Sequence, residues 1–129
     1  MNKTKLLREE LRKTLASVLA GAEIEAEIYY TRAPKNHPGK YLIYTLEEVT
    51  REDGRITIEL EINCHDYGMD TEACENMADV ITGSLDHTVT LTEDIEFHVY
   101  ANRRNNVTEE DEKVIRRRLT FDLYLYERG

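Results

Sequence analysis

The chain has 129 residues and 15.1 kDa, a length that suits one domain, 1–129, and 40 per cent of it is apolar, enough to bury a core without staples. A net charge of −9 disfavours general binding to phosphate backbones or anionic lipid. Two cysteines are too few for a disulfide scaffold, and no stretch approaches the roughly 18 apolar residues of a membrane span.

The opening MNKTKLLREELRK reaches charges before any apolar run long enough for a signal peptide, so a cytosolic, reducing address is expected. Residues 4–20 predict an amphipathic helix. Leu7, Leu11, Leu15 and Val18, widened by Leu6 and Leu19, form one stripe, and Gly21 is placed to end it. The period then changes. Over 23–32, Ile24, Ala26, Ile28 and Tyr30 alternate with Glu23, Glu25, Glu27 and Tyr29, the pattern of a half-exposed strand. APKNHPGK (33–40) holds both prolines and is a loop longer than a tight hairpin turn. YLIYTLEEV is apolar on both faces, which suits a central or interface strand, and Asp53-Gly54 is a hairpin turn. In RITIELEINC, Ile56, Ile58, Leu60, Ile62 and Cys64 alternate with polar residues, the clearest strand of the sequence.

A second helix is expected over 71–85, with Cys74, Met77, Ala78, Ile81 and Leu85 on one stripe. A short strand around Val89 and Leu91 and an alternating IEFHVYA follow. Residues 102–115 read as a charged loop. The closing strand turns Leu119, Phe121, Leu123 and Leu125 to one face and Arg118, Thr120, Asp122, Tyr124 and Tyr126 to the other. The order α-β-β-β-α-(β)-β-β predicts an α+β fold, a mostly antiparallel sheet with two helices packed on it.

NCHDYGMDTEAC (63–74) gathers both cysteines, one histidine and three carboxylates. Zinc needs three or four converging ligands, commonly from closely spaced cysteine pairs, yet these cysteines lie nine residues apart. Cys64 and His65 are strand neighbours and point to opposite faces unless the strand has already ended. A Cys–His nucleophile pair meets the same obstacle. No metal and no cofactor is therefore expected. The segment instead suits a strand end turning into a helix: His65 at the corner, Gly68 for the reversal, Asp70 or Thr71 as N-cap, and Met69 with Cys74 as a hydrophobic staple. A Cys64–Cys74 disulfide is sterically conceivable but disfavoured in a reducing compartment.

The acids 109–112 suit a solvated loop. Arg116, Arg117 and Arg118 can form a basic patch with Arg103 and Arg104, or pair with acids of a neighbouring subunit. Glycine-rich phosphate loops, G-x-S-x-G and H-E-x-x-H are absent from the sequence.

Taken together, the first helix, IYYTRAP, the Pro/Gly loop, KYLIYTLEEV, the long alternating strand, TEACENMADVITGSLD, IEFHVYANRR and RRRLTFDLYLYE resemble the small tail-terminator proteins of long-tailed bacteriophages and prophages. These are also called tail-completion or head–tail joining proteins. The resemblance rests on segment order and hydrophobic pattern over almost the whole chain. It implies a non-enzymatic virion assembly protein, assembled in the bacterial host cytoplasm. Copies would form a hexameric ring at the head-proximal end of the tail. The implied partners are the tail tube protein and the head-connector protein, with DNA only passing through the lumen and no membrane. A negative lumen wall would let a polyanion slide.

Candidate interface residues are Tyr29, Tyr41, Tyr44, Arg116, Arg117, Tyr124 and Tyr126; burial of the same tyrosines beneath the helices is the alternative. The loops at 33–40 and 102–115 are candidates for ordering on assembly. Two other functions stay open from the residues alone: a small enzyme using Cys64, His65 or Asp66, with or without zinc, and a nucleic-acid-binding module using the arginine cluster.

Overall fold

The computed structural model describes residues 3–34, 39–67, 71–109 and 114–127. In chain order the elements are α1 (Lys3–Gly21), β1 (Glu27–Tyr30), β2 (Tyr41–Glu52), β3 (Arg55–Tyr67), α2 (Glu72–Leu85), β4 (Thr88–Leu91), β5 (Ile95–Val107) and β6 (Val114–Glu127). Among the described residues the strands form one sheet in the order β1-β2-β3-β6-β5-β4. Every pairing is antiparallel except β1–β2, which is parallel. The expected α+β architecture is present.

The period-2 patterns decide which face each strand buries. Ile56, Ile58, Leu60 and Ile62 of β3 lie level with Leu125, Leu123, Phe121 and Leu119 of β6, and all eight are buried. α1 and α2 cover that face. α1 buries Leu7, Leu11, Leu15 and Leu19; α2 buries Cys74, Met77, Ala78, Ile81 and Leu85. Leu19 replaces the expected Val18 because the stripe follows a straight four-residue row. The opposite face has no helix among the described residues, as antiparallel sheets permit.

Four expectations need correction. Residues 102–115 are not one loop: β5 continues to Val107 and β6 resumes at Val114, because Arg103–Val107 pair with Arg116–Thr120 across the ladder. The first strand is confined to Glu27–Tyr30, and the loop after it returns the chain so that Glu27 lies beside Tyr41. His65 is no corner residue; β3 runs on to Tyr67, and His65 pairs with both Tyr41 and Arg116. Thr71 stands at the N-cap of α2 but makes no side-chain capping bond. Gly68, Met69 and Asp70, hence the staple and the alternative cap, lie outside the described residues, as do 35–38 and 110–113 of the two expected loops.

The end of α1 also differs from expectation. Ile24 N–H donates to Leu19 C=O at 2.9 Å and Glu23 N–H to Ala20 C=O at 3.1 Å, the paired bonds of a Schellman motif. The left-handed residue of that motif is Glu23, with φ 58°, and not Gly21. A Cβ in this region is strained by about 1–2 kcal/mol. Glu23→Gly is therefore expected to stabilise the fold by roughly 0.5–1 kcal/mol, after allowing for the freer unfolded chain. A urea titration checks it, and a lowered midpoint would contradict the motif.

Candidate functional site

The sheet face opposite the helices carries no helix among the described residues. Alternation from the pairing register brings Tyr29, Tyr41, Arg116, Tyr124 and Tyr126 to it, five of the seven candidate interface residues. The rings form edge contacts rather than a bare apolar patch: Tyr29 with Tyr41 at 6.2 Å, Tyr100 with Tyr124 at 5.9 Å, and His98 with Tyr126 at 5.2 Å between centroids.

Tyr44 and Arg117 are not on this face. Tyr44 is 1 % exposed, lies beneath α1 and donates its hydroxyl hydrogen to Arg8 C=O at 2.9 Å; burial raises its pKa. Arg117 reaches the first turn of α2, where its Nη2 meets Glu75 Oε1 at 3.0 Å. Both placements were legible from parity, since Tyr44 shares its phase with Leu42 and Leu46, and Arg117 with Leu119 and Phe121.

Acids partner the arginine cluster within the chain. Arg116 pairs with Glu109 at 3.0 Å and donates to Asn63 Oδ1 at 2.8 Å, Arg118 pairs with Glu61 at 2.9 Å, and Arg103 approaches Glu59 at 3.8 Å. Arg104 pairs with Asp79 of α2. Arg118–Glu61 ties β6 to its neighbour β3, and together the pairs lower the positive potential that phosphate binding needs.

Residues 63–67 divide between the two faces. Cys64 points to the helices. Cys74 donates its thiol hydrogen to Cys64 C=O at 3.3 Å, fastening α2 to β3, and both thiols are free. Burial raises both thiol pKa values, that of Cys74 to about 11, so neither is a ready thiolate. His65 points to the open face and stacks on Tyr41 at 4.5 Å. Among the described residues no three His, Cys, Asp or Glu side chains converge as a metal site requires. One shallow depression runs along Glu72, Glu75, Asn76 and Asp79, and another passes under β5 by Thr82, Arg104 and Phe121; neither joins a nucleophile to a base.

His65 is only 7 % exposed, and neither ring nitrogen has a partner among the described residues. Burial, reinforced by the Arg116 charge, lowers its pKa from 6.5 to about 4. The folded state thus binds this proton less readily than the unfolded chain. The resulting stability is complete above about pH 6.5 and is lost as the pH falls towards 4. A shift of that size corresponds to about 3 kcal/mol at most. His65→Phe keeps the stack on Tyr41 and is expected to flatten the urea midpoint over that interval. An unchanged acid slope would contradict the assignment.

No family model matches the sequence, and no curated protein matches it. Among solved structures, a chain described as "Virion of native gene transfer agent (GTA) particle" is similar over 87 % of this chain and 84 % of its own, with TM-score 0.62 and 14 % identity. At that identity the likeness is one of fold.

Proposed function

We propose that the chain is a structural subunit of a phage-like virion and acts as a tail terminator. Copies form a ring, six by the tail-terminator resemblance, at the head-proximal end of the tail tube. The ring ends tube growth and offers its other side to the head connector. DNA passes through the lumen without sequence-specific contact, and the net charge of −9 favours sliding over sticking.

The observation that carries this reading is the fold likeness to a chain of the gene transfer agent virion over most of both lengths. The segment order that resembles tail terminators points the same way. The buried thiols leave the described face of 63–67 without an activated nucleophile, and the ion-paired arginines weaken a nucleic-acid-binding alternative.

The test is genetic. Deleting the gene from particles that encode it is expected to leave full heads apart from tails of uncontrolled length, with normal particles restored by the intact gene. Normal particles without the gene would overturn the role.

A further inference from the structure

The sheet has stepped edges, and the two steps match. Reading across the ladder, one row runs Glu27–Tyr41–His65–Arg116–Val107 and another runs Thr50–Thr57–Tyr124–His98–Val89. The first row includes β1 and lacks β4; the second includes β4 and lacks β1. On one side β1 therefore projects beside Tyr41–Tyr44 and leaves β2 without a strand partner on that edge from Thr45 to Glu52 among the described residues. On the other side β4 projects beside Glu96–Val99 and leaves β5 without a strand partner from Tyr100 to Val107 among the described residues, with Ala101 N–H donating to Asp86 Oδ1 at 2.7 Å. β1 and β4 are each four residues long and lie at opposite ends of the sheet.

We propose that this edge joins to a second copy of the chain, with β4 of one subunit seated beside the open half of β2 of the next, and the next subunit's β1 seated beside the open half of β5. The two short strands then share a single column between β5 and the neighbour's β2. The contact is head-to-tail, the kind that closes into a ring, so the inference rests on the ring reading and deepens it.

Two observations select a second copy as the occupant. First, each projection fills the recess of the other edge with the rows level. Second, exposed apolar side chains collect at this joint. Val89 and Leu91 of β4 are 55 % and 60 % exposed, and Val49, at the bulge in β2 on the same level, is 59 % exposed.

The two halves also differ in backbone chemistry. Thr92 N–H bonds to Ile95 C=O, so the alternation of the ladder turns the backbone groups of Val89 and Leu91 outward. No charge or proline protects Thr88–Leu91, unlike edges that must stay alone. On β1 the outward carbonyls are already bonded, Ile28 C=O by Arg12 at 2.8 Å and Tyr30 C=O by Arg32 N–H at 2.9 Å. Backbone pairing thus belongs to β4 with β2, and side-chain contact to β1 with β5.

Thr50 and Val89 share a row and the open face, so Thr50→Cys with Val89→Cys in one chain tests the joint. The native thiols are buried and do not compete. Mild oxidation is expected to give a ladder of covalent chains beyond the dimer on a denaturing gel, whereas each single variant stops at dimers. Leu91→Asp is expected to shift the native mass from ring to monomer with an unchanged unfolding midpoint. Rings that give no ladder, or that survive Leu91→Asp, overturn this joint and leave the ring reading intact. Protein that never exceeds the monomer mass before oxidation overturns the ring, and the joint with it.

Discussion

Phe121→Ala is expected to cost about 3–5 kcal/mol, the range for truncating a fully buried aromatic ring. Phe121 is fully buried in β6 on the helix side, with Leu60 of β3 on one flank and Ala101 of β5 on the other. Truncating it removes the ring's apolar burial and leaves a void that the small Ala101 cannot fill. Marginal stability makes such a loss a large share of the total. Thermal unfolding is expected to move down by roughly 10–20 °C for a chain of this size. Glu9→Ala, on the exposed side of α1, serves as the control and is expected to stay within about 0.5 kcal/mol. Comparable losses at the two positions would contradict the assignment of the core.

The second large effect is an asymmetry at Arg117. This guanidinium is buried on the helix side; it bonds to Arg116 C=O at 3.1 Å and Glu75 at 3.0 Å, while its Nε has no partner among the described residues. Glu75→Ala strips the counter-charge and leaves a desolvated cation, at a cost of about 2–4 kcal/mol, since Glu75 itself is half exposed. Arg117→Met removes the charge and keeps the length, and is expected to change stability by less than about 1 kcal/mol. In a double-mutant cycle by chemical denaturation, Arg117→Met should rescue most of the Glu75→Ala loss. Equal losses for the two single variants, without rescue, would show that the pair is not buried as described.

Where a pattern had only one way to satisfy burial, the sequence was legible. Leu7, Leu11 and Leu15 recur on one helix face, and Ile56 to Cys64 alternate without interruption; both elements formed as expected. Legibility failed where the partner rather than the segment decides. Arg103, Arg104, Asn105 and Asn106 carry no apolar alternation because their outer edge and exposed side chains face water. They are strand because β6 pairs with them along its length. The parallel placement of β1 depends on how ten residues cross between Tyr30 and Tyr41, which no local periodicity encodes.

The same division holds at the surface. The alternation of the last strand placed Tyr124 and Tyr126 on the face away from the core, and the structure leaves that face uncovered among the described residues. Tyr44 and Arg117 lie on the helix side and not on the open face, since both share the phase of buried neighbours. The stepped edges were not legible, because they exist only once four pairings are aligned row by row. Val49, Val89 and Leu91 gave a faint signal, as apolar residues in otherwise polar stretches.

Assembly of the chain with copies of itself is read from light scattering of the purified protein over a wide concentration range, with negative-stain imaging of the largest species. Closed rings at six times the 15.1 kDa of one chain are expected. A single species at the mass of one chain throughout, with no rings in the images, would contradict it.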